Sequence, residues 1–379
     1  MLDYFYNLIT DSSQTIFWAL LVLGALVFIH ELGHHLLAKY FGIGVEKFSL
    51  GFGPKIYGTQ RGETEYRISL IPLGGYVKLM GESPPGNDET EDNEIPPEKM
   101  FFSRPVYQRF LVVFAGPLFN IMFAIVLSWG LHFFGFPVAG TNIGSVMKGS
   151  PAEIAKLQKN DVIIAINKKS KSKWSELVGT VIKNPSKELD IRVRRGRKIL
   201  DLKVIPSLVS PDGSKLQRPM IGIRSGPGSV IMKYGFIESL GKSITQNVTI
   251  VQMTVYSLYG MLTRSIPADI GGPIRISVMA KEQANRGLSY LVWFTILLSV
   301  NLAILNLLPI PILDGGHIVF LFLEFLKGKP VSIKTREILS QIGLFLLISL
   351  MVFATYKDSV YYFFGGEKKQ IQEYKERKK

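Results

Sequence analysis

The sequence contains no cysteine among its 379 residues. This absence excludes disulfides and thiolate metal ligands, so any transition-metal site must be built from histidine and carboxylate side chains. Histidine is also scarce, with five in the chain, which leaves few combinations for such a site. The lack of cysteine does not by itself identify the redox compartment.

Acidic residues are in deficit, and the formal net charge is +14. Lysine and arginine concentrate in residues 136–235 and in the tail EKKQIQEYKERKK. Such an excess is compatible with nucleic acid or anionic lipid as a partner. No nucleic-acid-binding motif accompanies it. We therefore expect no nucleic-acid partner and a basic surface beside anionic membrane lipid.

Apolar residues make up 47% of the chain, and its mean hydropathy of +0.22 is unusual for a soluble globular protein. A membrane-spanning helix needs about 20 predominantly apolar residues. Four stretches meet this requirement, at 16–38, 110–134, 288–308 and 342–364. The first lacks a basic flank and a small-residue cleavage site, so it predicts a retained anchor and not a cleaved signal peptide. The fold class predicted is a polytopic α-helical membrane protein with four transmembrane helices.

Two further regions interrupt this helical pattern. The stretch after the first span alternates and is rich in Gly, Val, Ile and Tyr, which predicts two or more strands. Residues 138–225 predict one inserted α+β domain in the order strand, helix, strand, helix, strand, strand, with Ser150 and Pro151 as the N-cap and first turn of a helix. The predicted organisation is 1–44, first span; 45–82, β-loop; 83–104, flexible acidic loop; 105–135, second span; 138–225, inserted domain; 229–286, amphipathic interfacial helices; 287–326, third span and LDGG motif; 327–379, fourth span and basic tail.

Charge around the spans predicts their orientation. Basic residues follow the first span, at Lys39 and Lys47, and the loop KGKPVSIKTR joins the third and fourth. The positive-inside rule therefore places the N-terminus and the inserted domain outside, and the ends of the first and third spans inside. The basic C-terminal tail, which is also assigned outside, counts against this orientation.

The first span ends in LVFIHELGHHLLAKY, where imidazole and carboxylate groups stand in an apolar helix. Positions i and i+4 share a helix face, so His30 and His34 can bind one metal ion. Glu31 is then placed to take a proton from a water molecule that the metal activates. His35 points to another side of the helix. The alternative, a helix end with polar caps, is weakened because polar groups inside a membrane are costly unless they are used.

A catalytic zinc ion usually has three protein ligands. The second polar interruption of an apolar stretch is NLLPIPILDGGH, in which Asp314 follows the third span. Prolines 309 and 311 and glycines 315 and 316 break the helix there. Broken backbone at membrane depth is tolerated where it lines a wet cavity. The alternative for Asp314 is the cap of an Asp-Gly turn.

Topology provides an internal test of the metal site. With four spans, the first and third end on the same side, so His30, His34 and Asp314 can meet. This requires that residues 229–265 do not cross the membrane. His317 is expected to pack or orient a neighbour, and His132 to lie at the interface. In FAGPLFN, Gly116, Pro117 and Asn120 fit ordinary helix packing and a site-lining role equally well.

Together these motifs resemble the site-2 protease family of intramembrane zinc metalloproteases. HELGH at 30–34 is similar to the family's HExxH, and NLLPIPILDGG at 306–316 to its second motif. SLIPLGGYVKLMGE, FAGPLFN and GGPIRI resemble further motifs of the family, in the same order. Within the family the arrangement is most similar to the branch of the bacterial regulator of sigma-E protease.

The resemblance implies a function and a set of site residues. The family cleaves transmembrane or signal-peptide segments of single-span membrane proteins, including anti-sigma factors, often after a first protease has cut upstream. It implies Zn²⁺ on His30, His34 and Asp314 with Glu31 as catalytic base, in a bacterial inner membrane with the site toward the cytoplasm. Residues 45–80 resemble a membrane-re-entrant β-loop that pairs with unwound substrate, and the substrate-binding residues implied are Gly74, Gly75, Asn306, Pro309 and Pro311.

The inserted domain resembles PDZ domains through SPAEIAKLQKNDVIIAIN. It departs from their pattern at Asn160, where glycine is usual, so peptide binding and a size-filter role both stay open. The chain has room for one such domain.

Two other functions compete with proteolysis. A membrane PDZ scaffold with a structural metal site would have no use for Glu31. A metal-ion transporter would require more intramembrane carboxylates than the spans contain.

Overall fold

Helices dominate the computed structural model, which describes residues 2–82, 96–209, 215–265 and 271–363. Most of the predicted acidic loop lies outside these residues. The helices are α1 (Leu2–Tyr40), α2 (Val106–Phe134), α3 (Pro151–Ile154), α4 (Trp174–Ile182), α5 (Phe236–Leu262), α6 (Pro273–Arg286), α7 (Leu288–Asn306), α8 (Asp314–Lys327) and α9 (Ile333–Phe363).

Four of the described helices, α1, α2, α7 and α9, are long and apolar enough to cross a membrane. Each contains most of one predicted span, which confirms the prediction of four candidate membrane helices. Helix α5 is not among them. It is a single helix of 27 residues, about 40 Å long at 1.5 Å per residue.

Helix α5 carries polar and apolar residues on separate flanks. Ser243 and Asn247 are buried, and Thr254 donates a hydrogen bond of 2.7 Å to Asn301 on α7. A second flank exposes large apolar side chains, at Leu240, Ile244, Val248, Val255, Tyr259 and Leu262. The exposed apolar flank suits contact with lipid, and the interfacial position of this segment stays a prediction.

The region after α1 forms a folded-back β-sheet from β1 (Val45–Arg61) and β2 (Thr64–Leu79). Residues 47–50 pair on both sides, with 75–78 and with 65–68, while 57–60 pair with the far side of 65–68. The 75–78 segment therefore forms one edge of the sheet. Its inner end packs on α1 and α2 through an apolar cluster that contains Ala38, Val45, Leu79 and Val112.

Polar contacts fix this sheet to the end of α1. Glu63 accepts hydrogen bonds from Lys39 at 2.8 Å and from Lys99 at 2.7 Å. These bonds, the one from Lys39 first, hold the pKa of the Glu63 carboxyl below its ordinary value. Tyr66 Oη lies 3.1 Å from Nε2 of His35. The sheet is thus tied to the helix that carries the HELGH motif.

Residues 132–239 form a separate unit. Its strands are β3 (Phe136–Ala139), β4 (Ile143–Val146), β5 (Val162–Ile166), β6 (Lys169–Ser170), β7 (Leu189–Arg195), β8 (Lys198–Val204), β9 (Ser207–Val209), β10 (Lys215–Met220), β11 (Ile223–Ser225) and β12 (Ser229–Met232). A four-stranded sheet in the order β6-β5-β7-β8 packs its inward residues, such as Ile163, Ile191 and Val193, against Leu177 and Val181 of α4.

The unit extends beyond both ends of the predicted domain, 138–225. Strand β12 pairs antiparallel with β3, so that Ser229 faces Ala139 and Met232 faces Phe136. The prediction of interfacial helices from residue 229 is therefore wrong at its start. The physical reason is that this strand is stabilised by a partner about 90 residues earlier, which local apolar patterning does not reveal.

The backbone conformation at Asn160, where glycine is usual in the PDZ sequence pattern, explains how the domain accommodates asparagine. Its backbone has φ of +70°, a left-handed conformation that glycine adopts freely and asparagine tolerates better than most residues. The preceding helix α3 begins as predicted, with Ser150 as N-cap accepting from the Glu153 N–H and Pro151 in the first turn. The local backbone thus keeps the shape for which glycine would be used.

Replacing Asn160 with valine is expected to destabilise the inserted domain by about 1–2 kcal/mol, because a β-branched side chain is strained at positive φ. Asn160→Gly should leave stability within a few tenths of a kcal/mol of the parent, at roughly the level expected of a tolerated turn substitution. Protease susceptibility of the domain in the detergent-solubilised full chain measures both, with exposed Lys159→Ala as control. Equal stability of the valine variant and the control would contradict the strain argument.

Candidate metal centre

Three side chains from distant parts of the sequence converge on one point. His30 Nε2 and His34 Nε2 are 3.2 Å apart. Asp314 Oδ2 lies 3.1 Å from His30 Nε2, and its Oδ1 lies 3.5 Å from His34 Nε2. The cluster is mostly buried, with side-chain exposures of 8%, 14% and 17%. The structure therefore brings together the three predicted ligands.

Close helix packing places the two histidines. Gly33, on the turn between them, lies against the Ala115 carbonyl oxygen of α2, which would be 2.5 Å from an added Cβ. Gly116, on the same turn of α2, lies directly against the His34 ring, and an added Cβ there would be 2.8 Å from His30 Cε1. The small residues of α1 and α2 let these helices approach closely around the ligands.

A sharp turn places the carboxylate. After α7 ends at Asn306, residues 307–313 reverse the chain and Asp314 opens α8. Gly315 lies against the backbone of Leu307 and Leu308, and Gly316 against that of Ile310. A side chain at either glycine would collide with the turn. The LDGG sequence thus allows the first turn of α8 to fold onto the preceding backbone and point Asp314 at the histidines.

The second ring nitrogen of His34 has a defined partner. Its Nδ1 donates to the Val112 carbonyl oxygen at 2.8 Å. Pro117 lies in the following turn of α2 and has no N–H to donate to the Val113 carbonyl. With its proton on Nδ1, His34 presents a lone pair on Nε2 toward the cluster, as a metal ligand must.

The geometry fits zinc. Ligands about 2.1 Å from a tetrahedral zinc ion lie about 3.4 Å from one another. The two histidine nitrogens are 3.2 Å apart, and the nearest Asp314 oxygen is Oδ2 at 3.1 Å for His30 and Oδ1 at 3.5 Å for His34, all close to that value. Two imidazole nitrogens and one carboxylate oxygen also form the type of three-ligand set that leaves a position open for chemistry.

Glu31 lies beside this cluster without joining it. The backbone N–H of Val77 donates to its carboxylate, and its Cγ would be 3.4 Å from a Cβ added at Gly75. The edge of the β-sheet therefore holds the carboxylate in place. This position between the metal ligands and the strand edge suits a proton-transfer group.

The cluster opens into a cavity of about 810 Å³. One wall is the sheet edge, with Gly74, Gly75 and Tyr76, and Asn306 stands close to the ligands, its Nδ2 lying 3.2 Å from His30 Nε2. Other residues of the wall are Val27, Phe52, Glu82, Phe102, Leu302, His317, Phe320 and Arg336. Most residues of the wall are thus apolar, and the wall also carries charged side chains at Glu82, Arg336 and Glu337.

Not every predicted site residue reaches this cavity. Pro309 and Pro311 belong to the 307–313 turn and do not line it. Among the other histidines, His317 lines the wall, in agreement with a packing or orienting role. His35 instead contacts Tyr66 and Phe48. His132 is buried against Phe136 and Tyr234 in the separate unit.

A buried ion pair stabilises the element that carries Asp314 and was not predicted. Arg109 on α2 donates to both carboxylate oxygens of Glu324 on α8, at 2.6 and 3.1 Å. Arg336 on α9 lies 3.6 Å from the same carboxylate. A sequence signal existed, since Glu324 interrupts the apolar run IVFLFLEFL of α8, but its partner lies 215 positions away.

Gly116→Ala is expected to weaken zinc binding at least tenfold, because the added methyl group would displace the His34 and His30 rings. Gly130→Ala, on the same helix with open space around it, is the matched control. Chelator competition on the purified full chain measures both dissociation constants. Equal values for the two variants would contradict the close packing of α2 on the ligands.

Comparison with known proteins places this geometry in a family. The family model described as peptidase family M50 matches residues 18–350. That range includes both halves of the ligand cluster, the sheet edge and the inserted domain.

Three curated relatives match most of this chain. A Brucella suis protein named as a zinc metalloprotease is 35% identical and covers 91% of this chain and 94% of its own length. A Campylobacter jejuni protein, also named as a zinc metalloprotease, is 33% identical over 89% of this chain and 91% of its own. The regulator of sigma-W protease RasP of Bacillus subtilis is 30% identical over 91% and 98%.

Among solved structures, the PDZ domain of an SdrC-like protein from Listeria monocytogenes matches 23% of this chain and 87% of its own. The identity is 20% and the TM-score is 0.20.

The match over 18–350 and the three relatives of at least 30% identity agree with the geometry of the site. The chain belongs to peptidase family M50, the site-2 protease family, and is a zinc metalloprotease of the membrane.

Proposed function

We propose that this protein hydrolyses peptide bonds within transmembrane or signal-peptide segments of single-span membrane proteins. Zinc is held by His30, His34 and Asp314, and Glu31 is the catalytic base. The observation that carries the proposal is the convergence of three zinc-type ligands, a carboxylate and a strand edge on one cavity. None of these features alone would indicate proteolysis.

Each side chain has a defined task in the reaction. Zinc, when bound, supplies Lewis acidity toward the scissile carbonyl and the attacking water molecule. Glu31 takes a proton from that water while the water oxygen bonds to the carbonyl carbon. It then gives the proton to the amide nitrogen as the carbon–nitrogen bond breaks, which leaves a carboxyl terminus and an amine.

The substrate must be extended before it is cleaved, because a helix hides its own amide groups. The sheet edge formed by residues 74–77 offers backbone groups beside Glu31, so an unwound substrate can add as a further strand. Gly74 and Gly75 keep this edge free of bulky side chains. Asn306, next to the ligands, binds substrate backbone, while Pro309 and Pro311 act by shaping the turn before Asp314.

The same sheet is proposed to re-enter the membrane. Its outer end exposes large apolar side chains at Phe52, Ile56, Tyr57, Ile68 and Leu70. Such exposure in a narrow hairpin is compatible with contact to lipid. The sheet then presents its edge to substrate at the depth of the metal.

We place the protein in a bacterial inner membrane with the site toward the cytoplasm and the inserted PDZ-like domain outside. The meeting of Asp314 with His30 supports a common side for the ends of α1 and α7. Because α2 returns across the membrane, α5 and α6 must together make no net crossing. The absence of α5 from the four candidate membrane helices among the described residues agrees with this.

Anti-sigma factors are the substrate class that we favour, after a first protease has removed an outer domain. Support comes from the name of the Bacillus subtilis relative, regulator of sigma-W protease. Its similarity extends over nearly the whole of both chains. The alternative, a non-catalytic membrane scaffold with a structural metal, leaves the position of Glu31 without a role.

Glu31→Gln is expected to retain zinc and to lower the cleavage rate by roughly 10²–10⁴-fold, since the amide cannot accept the proton. Cleavage of a tagged single-span substrate in liposomes, with bound metal quantified, measures both effects. Exposed Glu238→Gln is the control. Cleavage by the Glu31→Gln variant at the parent rate would exclude this mechanism, and absence of cleavage by the parent on several substrates would favour the scaffold.

Sidedness can be tested directly because the chain has no cysteine to remove. The variant Lys198→Cys, at an exposed position of the inserted domain, should react with an impermeant maleimide in intact spheroplasts. The variant Lys329→Cys, at an exposed position between α8 and α9, should react after permeabilisation only. The reverse pattern would invert the orientation, and labelling of both in intact spheroplasts would contradict the four-crossing topology.

A further inference from the structure

Asn120 on α2 is fully buried and lies beside a metal ligand without belonging to the ligand cluster. Its amide Nδ2 is placed 3.3 Å from Nδ1 of His30, on the side of the ring opposite to Asp314. Ser299 of α7 donates to the Asn120 backbone carbonyl at 2.7 Å. The residue is therefore held between the His30 ring and α7.

The amide can face the His30 ring in two orientations, and the metal-ligand role of the ring decides between them. With Nδ2 facing His30, the buried Oδ1 has no hydrogen-bond partner. The half-turned amide would leave Nδ2 in that same position, so the number of hydrogen bonds is equal in the two orientations and the protonation of the ring distinguishes them. The oxygen and nitrogen of an amide are nearly the same size, so a half-turn exchanges them without moving other atoms. Oδ1 then faces Nδ1 and can accept its proton.

This orientation sets the tautomer of His30. A proton on Nδ1 that is donated to Asn120 leaves a lone pair on Nε2, the nitrogen that faces His34 and Asp314. The Val112 carbonyl does the same for His34. Metal-binding histidines commonly donate their other N–H to an oxygen acceptor, which fixes the ring and its protonation.

We propose that Asn120 is a positioning residue of the zinc site, whose side-chain carbonyl accepts a hydrogen bond from His30 Nδ1. It holds the ring plane and the tautomer in which Nε2 binds zinc. The inference depends on the ligand set proposed above. It also gives FAGPLFN a role beyond helix packing, since Gly116 makes room for the rings and Asn120 orients one of them.

Substitution by aspartate separates this role from packing and from the opposite hydrogen bond. The ionised carboxylate introduced by Asn120→Asp can only accept, and leucine has a similar shape but neither accepts nor donates. The zinc dissociation constant of the purified full chain is measured by chelator competition for Asn120→Asp and Asn120→Leu. The control for loss of an intramembrane polar group is Asn301→Leu, on α7. This substitution removes the acceptor of the Thr254 hydrogen bond.

Asn120→Leu should raise the zinc dissociation constant roughly 10–100-fold, while Asn120→Asp should keep it within about threefold of the parent or lower it. The cobalt-substituted Asn120→Asp variant should keep the parent's visible absorption spectrum. Asn301→Leu should bind zinc as the parent does.

Two results would overturn the proposal. Zinc binding by the aspartate variant as weak as that of the leucine variant would mean that the amide donates. Parent-like binding by the leucine variant would mean that Asn120 only packs. If the leucine variant does not fold, the aspartate variant alone decides, because a carboxylate cannot replace a donor. His30→Ala tests the ligand set separately: retention of parent affinity there would refute the ligand assignment, whatever the Asn120 variants do.

Discussion

Burial of metal-binding side chains within an apolar helix is the constraint on which the rest of this structure depends. Imidazole and carboxylate groups are stable there only if each nitrogen and oxygen has a partner. One helix cannot supply those partners. The histidines of α1 are therefore partnered by a carboxylate from α8 and by a carbonyl and an amide from α2, and Glu31 by a backbone N–H from the β-sheet. The contacts that pack the helices together are consequently also the contacts that arrange the side chains of the site.

Small residues allow the backbone segments that carry these groups to approach one another closely. Where Gly33 faces Ala115, and where Gly315 and Gly316 face the preceding turn, backbone approaches backbone with no room for a side chain. In lipid, such contacts gain dispersion energy over a large area and bring polar backbone groups within reach. The Arg109–Glu324 pair then fixes α8 at its far end. Precision at the ligands thus results from contacts distributed over several helices.

Periodicity was sufficient to predict the local features. The i, i+4 spacing of His30 and His34 and the polar interruption at Asp314 predicted the metal cluster, and the count of spans predicted that the three would meet. Contacts between distant segments were not accessible in this way. The strand at 229–232 is short and is stabilised by pairing with residues 136–139. The acceptor of the His34 hydrogen bond is a backbone carbonyl, and a backbone carbonyl is present whatever the residue type, so the sequence does not indicate it. For Asn120 the sequence left two roles open, helix packing and lining of the site, because a single asparagine in a helix is compatible with both.

The pairing of β3 with β12 has a consequence for the architecture of the inserted domain. Because Phe136 faces Met232 and Ala139 faces Ser229, the chain enters and leaves the domain through two neighbouring strands that are paired with each other. The segment between β3 and β12 can then be lengthened, shortened or exchanged at small cost in chain entropy, since these two strands already hold its ends together. The inserted domain is in this sense a module that can be exchanged without altering the helices that carry His30, His34 and Asp314.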